Sequence, residues 1–261
     1  MISKIVHSLL GSKRGSTLVN RLQNSLAWNI SATESRIADC ISPERRVIKG
    51  PFDGINYGDL KASGSVLLPK LLGSYEEELH PYVERFLVNS YTFIVNIGCG
   101  EGYYAVGCAR RQPSASVFVF DADPAALGRC RFLAAQHQLV DRFHFADIYT
   151  EFSKNSLPAI GPFLLIMDCE GAERELLQPR CLPSMDFDAI VELHEETDRE
   201  RRAHNLGQRF RDTHEITIVL AAERNPDVHP ELKGLRPGEQ QRALDEFRPF
   251  PMRWLVLSRR P

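Results

Sequence analysis

A chain of 261 residues suits one large domain with decorated ends, and it can bury most of its apolar surface without disulfide or metal staples. With 43% hydrophobic and 25% charged residues and a formal net charge of −2, it is globular in composition and carries no global field toward nucleic acid or an anionic membrane. Its six cysteines (Cys40, Cys99, Cys108, Cys130, Cys169 and Cys181) show no CxxC pair or regular spacing, which favours a reducing compartment, the cytoplasm, and no zinc site.

The start of the chain, "MISKIVHSLLGSKRGS", has an apolar stretch too short for a secretory h-region. Nothing further along approaches the roughly 18 apolar residues of a membrane span. Residues 1–50 read as accessory helices, whose amphipathic pattern would allow pairing between chains as a homodimer, and 51–64 as a Gly-rich loop. Together they make an N-terminal extension, residues 1–66. Residues 67–87, "LLPKLLGSYEEELHPYVERFL", carry helical pieces separated by Pro and Gly breaks.

From residue 91 short apolar runs alternate with helix-period segments. Strands are predicted at 91–98, 115–123, 142–147, 163–168 and 187–193. Helices are predicted at "GYYAVGCARRQ", at "PAALGRCRFLAAQHQ" with Pro124 in its first turn, at "GAERELLQ" and at 196–211. Two further strands, 214–221 and 252–258, flank a long connection that holds one helix, "GEQQRALDEF". The alternation predicts an α/β fold: a Rossmann-like, doubly wound, mostly parallel seven-stranded sheet covered on both faces. It spans 67–261, with a core at 91–221, and 252–258 is expected to pair antiparallel with 214–221 as the terminal edge strand.

The segment "NIGCGEGYY" sets Gly98, Gly100 and Gly102 between the first strand and its helix. Glycines there let the backbone approach a ligand, and the helix N-terminus offers free N–H groups to an anion. A dinucleotide fingerprint would be G-x-G-x-x-G, but Tyr103 occupies the third glycine's place. The tighter G-x-G-x-G spacing resembles the class I S-adenosyl-L-methionine methyltransferases. The expected cofactor-binding set is then Gly98, Gly100, Glu101, Gly102 and Tyr103 in the loop, with Asp121 and Ala122 at the second strand tip. Asp121 is placed to accept from the ribose hydroxyls. Asp147 and Ile148 at the third strand tip complete the set, Asp147 against the adenine amino group. Strand-tip acids in an open α/β sheet share one crevice. Asp123, just before Pro124, is expected to cap its helix.

On the same rim, "IMDCEGAERELL" gives D-x-E-G-x-E (Asp168, Glu170, Gly171, Glu173), and "IVELHE" gives E-x-H (Glu192, His194). These segments, with "LLGSYEEEL" ahead of the sheet, resemble the FkbM-type methyltransferases over residues 66–195. Asn96 and Ile166 depart from the family, which often has an acid and a Lys there. The resemblance implies O-methylation of a hydroxyl on a sugar, glycan or other small molecule, with S-adenosyl-L-methionine as cofactor and neither nucleic acid nor membrane as partner.

His194 is the expected general base or substrate contact, unless it is bonded to a loop carbonyl. Asp168 is expected at the methionyl end of the cofactor or at the substrate, and Glu170 either in the site or as a helix cap. Glu173 is expected as a first-turn partner of the helix dipole. A metal on Asp168, Glu170 and His194 is chemically allowed, but no spacing signature selects it, and none is assigned. Tyr75 and Glu76 are expected to fold over the cofactor and Tyr57 to close the substrate side. Of Tyr103 and Tyr104, one should face the cofactor and the other pack. Two other readings stay open: an NAD-dependent oxidoreductase and a catalytically silent methyltransferase-like binding module.

Overall fold

The computed structural model describes residues 32–60, 66–194, 205–248 and 252–260. The helices expected within 1–31 and the 196–204 part of the charged helix lie outside these residues; 205–208 are helical.

Seven strands form one sheet in the order β3-β2-β1-β4-β5-β7-β6. They are β1 (Phe93–Ile97), β2 (Ser116–Phe120), β3 (Phe143–Ala146), β4 (Phe163–Met167), β5 (Phe187–Leu193), β6 (His214–Leu220) and β7 (Arg253–Arg259). β1 to β5 run parallel. The central pair, FIVNI and FLLIM, is buried at every position, as continuous apolar runs must be when helices cover both faces. The chain steps outward from β1 to β3, then returns across β1 to β4 and β5. That reversal opens a crevice at the carboxyl ends of β1 and β4.

Side-chain alternation along the strands splits the core into two layers. Phe93, Val95, Ile97, Phe163, Leu165, Met167 and Phe187 fill one, closed by Leu177, Leu206 and Phe210. Ile94, Leu164, Ile166, Ile190, Trp254 and Val256 fill the other. This second layer is covered by helices α1 (32–41), α2 (Leu67–Leu72), α3 (His80–Val88), α4 (Tyr103–Arg111) and α5 (Pro124–Gln136). The described part of the N-terminal extension belongs to that layer, with Ile37, Ile41, Val47, Phe52, Ile55 and Tyr57 all buried. Phe52 lies so close to Gly107 that a Cβ there would come within 2.4 Å of its ring.

Two expectations are corrected. The strand 252–258 is not the edge: β7 pairs antiparallel with β5 on one side and β6 on the other. Trp254, Leu255, Val256 and Leu257 are buried, whereas β6 carries exposed Glu215 and half-buried Thr217 and so tolerates the solvated edge. The helix expected over 171–178 is a single turn, α6 (Glu173–Leu176). Pro179 holds the preceding Gln178 extended, which stops the helix there. A further helix, α7 (Pro237–Leu244), stands in the long connection before β7. No described helix is long and apolar enough to cross a membrane.

Candidate active site

A cavity of about 560 Å³ opens at the carboxyl ends of β1, β2, β4 and β5. Every residue expected to touch the cofactor lines it except Gly102. Gly102 instead caps α4 with φ 98°, and a Cβ there would lie 2.7 Å from Cys130 Sγ. Gly98 has φ 74°, and a Cβ on it would meet the Asp168 carbonyl at 1.6 Å. The tips of β1 and β4 therefore touch, tied by Asp168 N–H donating to the Ile97 carbonyl at 2.9 Å.

At the β2 tip, Asp121 Oδ2 accepts the Cys99 and Gly100 N–H groups at 2.9 and 3.0 Å, and Oδ1 accepts from Asp123 N–H at 2.8 Å. The carboxylate thus shapes the glycine loop itself. Three of its four lone-pair sites are taken, which leaves room for one further donor rather than a pair of ribose hydroxyls. Asp123 caps α5, accepting from Ala125 N–H at 2.9 Å. Asp147 and Ile148 form an exposed rim, Ile148 at 64%.

Asn96, inside β1, is buried on the cavity wall. Its Nδ2 donates to the Gly98 and Ile166 carbonyls at 3.3 and 3.5 Å, while Oδ1 is buried with no partner. An orphaned buried acceptor carries a desolvation cost that a donor in the cavity would relieve. The α-ammonium of S-adenosyl-L-methionine is such a donor, so Asn96 fits the place where an acid was expected.

Glu101 lines the cavity, but its carboxylate is engaged in a buried ion pair with Lys70 and accepts the Tyr57 hydroxyl at 3.1 Å. Lys70 Nζ also sits over the Tyr75 and Tyr103 rings, 4.7 and 5.2 Å from their centroids. Tyr57 therefore does not close the substrate side: it is fully buried, and burial followed by the Glu101 charge pushes its pKa well up. Lys70 escaped the sequence reading, although one charge inside the apolar run "LLPKLL" was the available signal. Tyr103 and Tyr104 both line the cavity and both pack edge-on against Phe52. Neither is purely a packing residue.

The acidic end is built from α6 and the tip of β5. Glu173 is buried, and its Oε1 accepts from Cys169 N–H and Gly171 N–H at 3.3 and 3.2 Å. Burial pushes its pKa up, but the His194 and backbone hydrogen bonds outweigh that and hold it below the usual carboxylate value. As an ionised acceptor it requires His194 Nδ1–H to donate, at 2.9 Å. His194 Nε2 then points at carboxylates: Asp168 Oδ1 at 3.3 Å, Glu170 Oε2 at 3.6 Å and Glu192 Oε1 at 3.8 Å. No loop carbonyl holds this ring among the described residues. His194 itself stands behind the wall that Asp168, Glu170 and Glu192 line.

Burial pulls the His194 pKa down, but the Glu173 bond and the Asp168 charge overcome it and set it at about 9. Burial and the Glu76 charge push Asp168 up to about 7, against the pull of His194. Burial with the Glu76 and Asp168 charges takes Glu192 to about 9, despite Arg248. Glu170 is not a helix cap: the cap position of α6 is Ala172, with no side-chain bond, and Glu170 is 82% exposed on its side chain with φ 54°. Arg248, which carried no sequence signal, joins the cluster by bridging Glu192 and Glu76 at 2.6 Å each. Glu76 also accepts the Tyr104 hydroxyl. The site thus sets a cluster of titratable groups at the tips of β4 and β5 beside a glycine loop and an orphaned acceptor at the tip of β1.

Residues 82–160, from α3 through β3 to the loop before β4, match the family model described as methyltransferase small domain. No curated protein matches the chain in sequence. Among solved structures, precorrin-6y C5,15-methyltransferase from Geobacter metallireducens is 12% identical, with a TM-score of 0.46, covering 66% of this chain and 83% of that one. Precorrin 8w decarboxylase from Methanobacterium thermoautotrophicum is 17% identical at a TM-score of 0.47, covering 69% and 89%. A methyltransferase from Geobacter sulfurreducens is 17% identical at 0.41, covering 67% and 75%. At such scores these are neighbours in outline only. The matched segment carries the glycine loop and the acidic tips of β2 and β3, and with them it makes S-adenosyl-L-methionine the cofactor and methyl transfer the chemistry of this chain.

Proposed function

We propose that the chain methylates a hydroxyl of a small molecule, sugar or glycan, in the manner of the FkbM-type enzymes it resembles. The observation that carries this reading is the cluster of titratable groups Asp168, Glu192 and His194, gathered at the tips of β4 and β5 beside the glycine loop. The D-x-E-G-x-E and E-x-H segments converge there, since Asp168, Glu170 and Glu173 all approach one imidazole. S-adenosyl-L-methionine supplies a methyl group on a sulfonium, which passes in line to the attacking oxygen while the electron pair of the broken bond stays on sulfur.

The chain's own residues do the rest. Asn96 Oδ1 and the glycine loop hold the methionyl end, and Asp121 keeps the loop in shape and accepts from the ribose. Tyr75, Tyr103 and Tyr104 wall the cavity and keep water out. The hydroxyl is received beside Asp168, with His194 behind it, and its proton leaves to this cluster as the oxygen attacks. Much of the acceleration comes from holding the two reactants in line, and a positioned base adds about 10²–10⁴-fold.

The test is transfer of labelled methyl from S-adenosyl-L-methionine to a panel of hydroxyl and amine acceptors, with the new linkage identified by mass spectrometry. Label in methyl ethers, reduced at least a hundredfold by His194→Ala while cofactor-product binding is kept, is the expected result. Label found in N-methyl products alone overturns the choice of a hydroxyl. Undiminished turnover in the variant removes His194 from the chemistry.

A further inference from the structure

We infer that Asp168, Glu192 and His194 bind a divalent cation of the Mn²⁺ or Mg²⁺ kind, which holds the acceptor's oxygen during transfer; this rests on the methyltransferase reading of the same cavity. Each residue offers one ligand atom, and the three atoms lie within 4.8 Å of one another. The Nε2–Oδ1 separation, 3.3 Å, approaches the roughly 3 Å between neighbouring ligands of an octahedral ion with bonds near 2.1 Å.

Three further observations point to a cation rather than to an acidic surface patch. The first is the way His194 is held. Glu173, fixed by two backbone N–H groups, takes the Nδ1 proton and turns Nε2 into the cluster. A carboxylate behind an imidazole is how a ligating histidine is oriented and made more basic. The second is Asp168 Oδ1, a buried oxygen with no hydrogen-bond partner, which faces that same Nε2. Its one near cationic neighbour is the His194 ring, and once Nε2 gives up its proton to serve as a ligand, a metal ion takes that place. The third is charge. Glu76, Asp168, Glu170, Glu173 and Glu192 converge on Arg248 and His194, five carboxyl groups to two cationic side chains, a crowding that a divalent ion would relieve.

Arg248 occupies Glu192 Oε1 and leaves Oε2 for the ion. Three protein ligands leave coordination positions open for the acceptor and water, as sites that polarise a substrate oxygen require. In this arrangement Nε2 is a ligand. The hydroxyl bound to the ion becomes more acidic, its O–H bond breaks as the oxygen attacks the methyl carbon, and the proton passes to Glu170. The Oε2 of that exposed carboxylate lies 3.6 Å from Nε2. The set differs from the one the sequence offered: Glu192 ligates, and Glu170 faces solvent.

The experiment is titration of Mn²⁺ into the full chain, followed by the loss of the free-ion electron paramagnetic resonance signal, with S-adenosylhomocysteine binding measured separately on every protein. One ion per chain is expected, with nitrogen modulation from an imidazole in the pulsed spectrum. Binding should be lost in His194→Gln and Glu192→Gln. Glu173→Gln, which meets the ring at Nδ1 and not at Nε2, should weaken it about 10- to 100-fold. An unchanged free-ion signal, equal Mn²⁺ binding in His194→Gln, or a bound ion without nitrogen modulation overturns the proposal. The nitrogen signature is read on the unmutated chain and so does not depend on any variant folding. S-adenosylhomocysteine binding without Mn²⁺ binding removes the cation site and leaves the methyltransferase reading in place. Failure of the unmutated chain to bind S-adenosylhomocysteine removes that reading itself.

Discussion

Asp121 shows how one side chain can shape the loop of a site whose wall it also lines. It ties the Cys99 and Gly100 N–H groups to the β2 tip, so removing it unshapes the glycine loop as well as taking away the proposed ribose acceptor. A hydrogen bond to a charged group contributes about 1.5–3 kcal/mol. Asp121→Ala should therefore weaken S-adenosylhomocysteine binding by roughly ten- to a hundredfold in calorimetry, and Asp121→Asn, which keeps the acceptor oxygen, by less. Glu173 teaches the complementary lesson. Its place in D-x-E-G-x-E was visible in the sequence, but a first-turn acid is ordinarily a dipole partner. Only the fold shows it buried beneath His194 with two N–H donors fixing it.

Between elements, the Lys70–Glu101 pair joins α2 to the glycine loop with both side chains almost wholly buried. Removing one member of such a pair leaves an uncompensated charge inside. Lys70→Met should cost about 3–5 kcal/mol in urea unfolding, and adding Glu101→Gln should recover a large part of it; no recovery would show that the pair is not what joins these elements. At the sheet edge His214 is fully buried, with Nε2 at 2.8 Å from the Phe187 carbonyl of β5. Burial lowers its pKa below the usual histidine value. The unfolded chain therefore takes up this proton first as pH falls, so the stability His214 lends is complete above about pH 6.5 and is lost below it. The drop in melting temperature between pH 8 and pH 5.5 should be smaller in His214→Gln than in the unmutated chain. An equal drop would assign the acid sensitivity to other groups, His80 and His229 among them, whose pKa values burial also lowers.

At the scale of the whole molecule, the sheet was legible because its physics is local. Apolar runs such as FIVNI and FLLIM cannot be other than buried parallel strands when helix-period segments separate them. The acids at the tips of β2, β3 and β4 could be placed on one rim for the same reason. What the sequence did not disclose was set by distant partners. Strand β7 enters between β5 and β6 because its apolar residues need two neighbours. Lys70 and Arg248 reach the site from segments far from the motifs, and Tyr57 lies beneath the glycine loop rather than across its mouth. Spacing along a chain carries no record of such meetings.

The central claim is that this cavity takes S-adenosyl-L-methionine and not a dinucleotide. Calorimetric titration of the full chain with S-adenosylhomocysteine and, separately, with NAD tests it most directly. One S-adenosylhomocysteine per chain, weakened in Asp121→Ala, with no heat from NAD, is the predicted result. Saturable binding of NAD, or no binding of S-adenosylhomocysteine, would contradict it.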